Sequence, residues 1–229
     1  MGIKPRNCVV VFGGSFDPVH CGHVALVKHV AALIQPQVVR LLPAGKPWQK
    51  ECLAADAMHR VKMLELAFDG ELAIPLFIDQ QEIQRAQLGQ ATYSVETLQN
   101  LRRELGGDTA IVFVIGADQL MNLANWRDWK NLFDLAHVCA VARPGYCLDL
   151  ADLPESVRTT WNNRSAQIDQ LKQSPAGMCF YCADLAWPIS ASAIRQELKM
   201  GACADSKNSA FGLVPPKVLD YIQQQHLYK

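Results

Sequence analysis

Cys8–Val9–Val10–Val11–Phe12 runs without a polar residue into Gly13–Gly14–Ser15–Phe16–Asp17–Pro18–Val19–His20–Cys21–Gly22–His23. An apolar run without alternation suits a strand buried on both faces of a parallel sheet, since a sheet wetted on one side alternates. The two glycines permit a sharp turn and let backbone approach a ligand with no Cβ in the way. From Gly22 to Ile34 the apolar residues Val27, Val30, Ala31 and Ile34 fall at helical spacing. Strand, glycine turn and helix start together make a phosphate cradle, with unpaired N–H groups and the positive helix end facing one point. His20 and His23 fall at the helix entrance, where a phosphate would arrive. The run therefore predicts a nucleotide site for phosphoryl chemistry. It is neither a Walker loop, lacking Gly-Lys-Ser/Thr, nor a G-x-G-x-x-G dinucleotide turn. A zinc site of His20, Cys21 and His23 is the poorer reading, because three ligands within four residues strain tetrahedral geometry.

Composition narrows the partners. With 22 acidic and 22 basic residues the formal charge is zero, so neither nucleic acid nor an anionic membrane is drawn in by the net field. No stretch approaches the roughly 20 apolar residues of a membrane span. Met1–Asn7 is short, carries Lys4 and Arg6 and leads directly into the strand, so no signal peptide and a cytoplasmic location are expected. The eight cysteines are scattered, several inside apolar runs, and read as reduced core thiols. Cys179-x-x-Cys182 lies within a strand-like segment without a second pair, which argues against a redox or metal role.

Strand-like and helical patterns then alternate. Val38–Leu42, Ala73–Ile78, Ala110–Ile115, His137–Ala142 and Met178–Ala183 read as strands. Ala55–Phe68, Val95–Leu105, a stretch around Gln119–Phe133, Ala191–Met200 and a last segment from Pro215–Pro216 to about His226 read as helical. Tyr146–Gly177 shows no clear period. Such alternation predicts an α/β fold, a doubly wound parallel sheet with right-handed crossovers and a C-terminal helical portion. One domain spanning residues 1–229 is expected, with its ligand at the carboxyl ends of the strands, where the glycine loop falls.

The opening run resembles the nucleotidyltransferase superfamily whose hallmark is His-x-Gly-His at the start of a Rossmann-like sheet. Ile189–Ser190–Ala191–Ser192–Ala193–Ile194–Arg195 is similar to that superfamily's Ile-Ser-x-Ser/Thr-x-x-Arg motif. Either serine can cap the following helix, while Arg195 projects from its first turns. Within the superfamily the match narrows to bacterial nicotinate-nucleotide adenylyltransferases. Pro43–Ala44–Gly45–Lys46–Pro47–Trp48–Gln49–Lys50 resembles their Pro-x-x-x-Pro-x-x-Lys loop, with Gln49 where histidine is common. Thr92–Tyr93–Ser94–Val95–Glu96–Thr97–Leu98, Gly116–Ala117–Asp118 followed by Trp126, and Val141–Ala142–Arg143–Pro144–Gly145 are similar to three further family segments.

The resemblance implies adenylyl transfer from ATP to nicotinate mononucleotide, with Mg²⁺ bound mainly through the ATP phosphates and with His20, His23 and Arg195 as the catalytic set. ATP would be held by Gly13, Gly14, Ser15, Phe16, Gly116, Asp118, Ile189 and Ser192. The mononucleotide would be held by Lys46, Lys50, Thr92, Tyr93, Trp126 and Arg143. Lys46 and Lys50 read equally well as solvated loop lysines, and Trp126 as a core side chain. Rival readings are an adenylyltransferase for nicotinamide mononucleotide or phosphopantetheine, and a non-catalytic nucleotide sensor. Retention of both histidines and Arg195 argues against the sensor. Self-association is left open.

Overall fold

The computed structural model describes residues 6–46, 53–142, 149–182, 189–200 and 210–229. Strands β1 (Cys8–Gly14), β2 (Val38–Pro43), β3 (Leu76–Ile78), β4 (Ala110–Gly116), β5 (His137–Val141) and β6 (Cys179–Cys182) form an all-parallel sheet ordered 3-2-1-4-5-6. Helices α1 (Cys21–Ile34), α2 (Ala57–Phe68), α3 (Gln81–Gln87), α4 (Ser94–Leu105), α5 (Leu132–Leu135), α6 (Glu155–Arg164), α7 (Ala191–Met200), α8 (Ala210–Leu213) and α9 (Pro216–Gln224) cover both faces.

The absence of alternation in β1 follows from its place in the middle of this stack. Val10 and Phe12 pack on one face against α1, α2 and α9, through Val27, Val30, Met63, Leu64, Val218 and Ile222. Val9 and Val11 pack on the other, with Val95, Leu98 and Leu101 of α4 and Trp161 of α6. Each such fully buried aliphatic side chain contributes roughly 1.5–3 kcal/mol. Helix α1 stops where Gln35 turns left-handed (φ 49°) and donates its N–H to the Ala31 carbonyl at 2.9 Å, the helix-ending geometry that Pro36 then makes final.

The sheet, its parallel order and its winding are as the sequence predicts, and the differences are local. The expected strand Ala73–Ile78 shrinks to three residues, because Pro75 has no N–H to give the ladder, although its carbonyl accepts from Val39 N. Gln119–Phe133 is not a continuous α-helix. It is 3₁₀ turns at Ala117–Asn125 and Trp129–Asn131 followed by α5, interrupted at Asp128 with φ 49°. Helix α3 was not anticipated, since only Ile83 of its seven residues is buried and no apolar period results. The unreadable Tyr146–Gly177 contains α6, which is anchored by Val157 and Trp161 alone. Cys179 and Cys182 point to opposite faces of β6, one into each core layer, so this C-x-x-C cannot close on itself. Burial pushes the Cys179 thiol up to about 12, which keeps it protonated and inert.

Candidate active site

Strands β1 and β4 are neighbours whose chains leave toward opposite sides of the sheet, and the divergence opens a crevice at their carboxyl ends. A cavity of about 360 Å³ occupies it. Gly13 and Gly14 of β1, Ile115 and Gly116 of β4 and Val141 of β5 form its floor. Its rim is built from the beginnings of three helices: His20, Gly22 and His23 at α1, Ser94 at α4, and Ser190, Ala191 and Ser192 at α7. Each helix start contributes unpaired N–H groups and about half a positive charge, so three of them converging on one cavity make it an anion site.

The two histidines stack, with ring centroids 3.6 Å apart and planes inclined by 24°. The His20 N–H donates to His23 Nδ1 at 3.2 Å. A ring nitrogen that accepts carries no proton, so neutral His23 keeps its proton on Nε2, the nitrogen that can donate to a ligand. Glycine at position 22 leaves room for the first ring of this pair. A Cβ there would lie 3.1 Å from His20 Nδ1 and 3.2 Å from Cε1. The spacer in His-x-Gly-His is therefore the surface on which the first imidazole rests.

The glycine loop is held from behind. Phe16 sits at φ 48°, a left-handed conformation unfavourable for a bulky residue, with its ring fully buried against Phe12 and His23. On its two sides the carbonyls are gripped by arginines. Arg60 Nη1 donates to the Ser15 carbonyl at 2.9 Å, and Arg195 Nη1 donates to the Asp17 carbonyl at 2.6 Å. Arg60 Nη2 also donates to the Ala44 carbonyl at 2.7 Å, joining the first loop to the one after β2. Arg60 is 1% exposed, and burial lowers its pKa from the ordinary arginine value. The Asp17 carboxylate accepts from the Ala54 N–H at 2.7 Å, the Ala55 N–H at 3.1 Å and the Tyr228 hydroxyl at 2.7 Å.

The rest of the lining includes Thr92, Ser94, Thr97, Glu82, Phe113 and Trp126. Trp126 meets Phe113 edge-on, with centroids 6.5 Å apart. Its indole Nε1 is buried and has no hydrogen-bond partner among the described residues. Thr97 Oγ1 donates to Glu82 Oε1 at 2.9 Å, and Arg85 donates to the same Thr97 hydroxyl. Burial pushes the Glu82 carboxyl above its usual range, against the pull of its Thr97 hydrogen bond and Arg85. The Thr92 hydroxyl donates to the Lys46 carbonyl at 3.2 Å.

Of the residues singled out from sequence, the structure brings Gly13, Gly14, Ser15, His20, His23, Thr92, Gly116, Trp126, Ile189 and Ser192 to this one cavity. Five others stand apart from its lining. Phe16 turns its side chain into the core, and Lys46 is exposed on the loop. Tyr93 packs under the Arg127 guanidinium, 4.7 Å from ring centroid to Cζ. Asp118 accepts from Gln119 Nε2 at 2.8 Å, and it is Gln119 that borders the cavity. Arg195 reaches the back of the glycine loop and lies within 3.3 Å of Ser192 Oγ. Lys50 and Arg143 lie outside the described residues. Sequence reasoning missed Arg60, Glu82 and Tyr228, and it included Thr97 within the Thr92–Leu98 segment without giving it a role. No spacing marks the first three, since each acts through a partner distant in the chain.

The chain matches the cytidylyltransferase-like family over residues 11–197. A protein from Herminiimonas arsenicoxydans named "Probable nicotinate-nucleotide adenylyltransferase" is 44% identical over 223 residues, covering 97% of each chain. One of the same name from Laribacter hongkongensis is 39% identical over 229 residues, covering 100% of this chain and 98% of its own. The fold is shared with Plasmodium falciparum nicotinic acid mononucleotide adenylyltransferase complexed with NaAD, at a TM-score of 0.70 and 19% identity over 97% of each chain. By this full-length identity, together with the paired histidines set at the β1–β4 crevice, the chain belongs to the nicotinate-nucleotide adenylyltransferases of the cytidylyltransferase-like family.

Proposed function

We propose that the cavity transfers the adenylyl group of ATP to nicotinate mononucleotide, forming deamido-NAD and pyrophosphate, in NAD biosynthesis. The observation that carries this reading is the meeting of three helix starts, two imidazoles and a tryptophan in the lining of one cavity. An oxygen of the mononucleotide 5′-phosphate forms a bond to the α-phosphorus. The bond from that phosphorus to the oxygen bridging the β-phosphate breaks, and pyrophosphate leaves with the electron pair. The nucleophile is already an anion, so the protein needs no base to generate it. Its work is to hold two repelling anions in line and to stabilise charge on the oxygens in transit.

His23 donates from Nε2 to a phosphate oxygen, and His20, resting on Gly22, acts beside it. The loop Gly13–Phe16, Ile189, Ser192 and the α7 start hold the triphosphate side, with Gly116 and Asp118 near the ribose. Arg195 serves this side through its grip on the loop. The acceptor takes the Thr92–Trp126 end, with Trp126 against the pyridine ring. Thr92 and Tyr93 approach its carboxylate through their backbone, and Lys46, Lys50 and Arg143 complete the acceptor side. Mg²⁺ bound to the triphosphate would neutralise charge on the departing pyrophosphate. Among the described residues no group of three or more His, Cys, Asp or Glu side chains converges. The donors at the glycine-loop end are N–H groups and imidazoles, which suits phosphate oxygens and leaves the cation to the phosphates. Residues 1–229 act in this reading as one nucleotidyltransferase domain.

The test is pyrophosphate release from ATP and Mg²⁺ with nicotinate mononucleotide, nicotinamide mononucleotide and phosphopantetheine offered separately. Release with the first at a kcat/KM well above the others is expected. Preference for another acceptor would reassign the substrate, and no release with any would return the chain to a nucleotide sensor.

A further inference from the structure

Tyr228 lies beyond α9, outside every segment that resembles a nucleotide-binding motif, yet its hydroxyl donates to Asp17 Oδ1 at 2.7 Å across a separation of 211 residues. The contact is built. Helix α9 packs on α2, where His59 Nδ1 and the Tyr221 hydroxyl lie 2.9 Å apart. The chain then reverses with His226 at φ 53° and closes the helix with the Leu227 N–H on the Ile222 carbonyl at 3.0 Å. This delivers the Tyr228 ring, 7% exposed, into the core behind the glycine loop. Asp17, 3% exposed, is the hub. Its carboxylate takes two backbone N–H groups and the phenol, while its carbonyl takes Arg195. Two residues upstream, Arg60 holds the Ser15 carbonyl. In a trans peptide the C=O and N–H point oppositely, so the grip on Ser15 turns the Phe16 N–H away from Arg60. A left-handed Phe16 persists only where its surroundings over-determine it, and these partners do so.

We propose that Tyr228 is a positioning residue for adenylyl transfer, fixing Asp17 and through it the Ser15–Asp17 turn and the guanidinium of Arg195. Without the hydroxyl, Asp17 keeps the Ala54 N–H on Oδ2 and the Ala55 N–H on Oδ1, and loses the one donor that ties it to the chain beyond α9, so the residue that carries Arg195's acceptor is held from one side only. The triphosphate side is affected and the acceptor side is not, because the contacts of Tyr228, Asp17 and Arg195 run to the glycine loop and to Ser192, and not to Thr92 or Trp126. The inference rests on the adenylyl-transfer reading, and binding of ATP alone tests it separately.

Wild type, Tyr228→Phe, Arg195→Ala and the double variant would be compared by steady-state kinetics and by calorimetric titration with a non-hydrolysable ATP analogue. Val157→Ala, which loosens α6 in the core layer on the other face of the sheet, serves as the control. Tyr228→Phe is expected to lose about fivefold or more in kcat/KM for ATP and to weaken analogue binding, with the mononucleotide KM within about twofold. Val157→Ala should lower Tm and leave these constants alone. In the Arg195→Ala background the added Tyr228→Phe should cost little, since both act through one residue. If Tyr228→Phe folds poorly, Asp17→Asn should give the same ATP-side loss. A phenylalanine variant with wild-type constants would overturn the proposal, as would a loss undiminished in the Arg195→Ala background. Wild type that binds the analogue but transfers nothing to nicotinate mononucleotide would sink the substrate reading alone, with the analogue affinities still deciding the role of Tyr228. Wild type that binds no analogue would overturn both.

Discussion

Gly22→Ala separates stability from activity at a single atom. Alanine gains up to about 1 kcal/mol over glycine in a helix, and less in a first turn. On propensity alone, Tm should hold or rise by at most about 2–4 °C. The added Cβ, however, would sit 3.1 Å from His20 Nδ1 and 3.2 Å from Cε1, against an optimal separation of about 3.5–4.0 Å. The ring must yield by about 0.5 Å. It cannot do so freely, because the His23 ring lies 3.6 Å away centroid to centroid and His20 is 7% exposed. A misplacement of about 1 Å costs on the order of 10²-fold in rate, so about half that shift should lower kcat roughly tenfold, or about 1.4 kcal/mol. The assay is pyrophosphate release at saturating substrates, alongside calorimetric Tm. A variant with kcat within twofold of wild type would refute the argument that glycine is there for His20. A Tm falling by more than about 4 °C would show that the whole loop opens instead.

Trp126→Ala should raise the mononucleotide KM about fivefold, for a ring contact of about 1 kcal/mol, and leave the ATP KM alone. An unchanged mononucleotide KM would return Trp126 to a packing role. Gly45→Ala should be strongly destabilising, because its Cβ would fall 2.1 Å from the Glu82 carbonyl oxygen. The loop and α3 would have to part, costing about 1–3 kcal/mol, and a wild-type urea midpoint would contradict the close approach. His137 is fully buried, accepts from the Met178 N–H at Nδ1 and lies 2.9 Å from the Ser174 carbonyl through Nε2. Burial lowers its pKa below the ordinary 6.5. Below about pH 6.5 the unfolded chain therefore binds the extra proton, and stability falls with pH by up to about 1.36 kcal/mol per unit until the native pKa is reached. Stability measured from pH 8 to 5 should show that slope in wild type and less of it in His137→Asn. A pH-independent difference between the two would rule it out.

What was legible in sequence shares one property: the residues that interact are close in the chain. Cys8–Phe12, the glycine turn and His20–His23 specify strand, loop and helix start among themselves, and the stack of the two imidazoles, with His20 against Gly22, is a contact across three residues. Ile189–Arg195 likewise leads directly into its own helix, with the Ile194 N–H on the Ser190 carbonyl at 3.0 Å. The shortfalls had the opposite character. Helix α3 has almost no apolar face, and its position is set by Glu82 and Arg85 meeting Thr97 on α4. Helix α6 owes its place to two anchors, Val157 and Trp161, in the layer beneath the sheet.

The sequence by itself determined the α/β winding, the phosphate-binding chemistry and the end of the sheet at which it occurs. Periodicity and turn residues are local properties, and β1 could only be an interior strand. Tertiary structure alone decided which side chains share the cavity, and that Arg195 grips the glycine loop from behind. It alone placed the hydroxyl of Tyr228 on Asp17. A buried carboxylate needs donors wherever packing can supply them, and nothing in the local sequence states that the third donor lies 211 residues away.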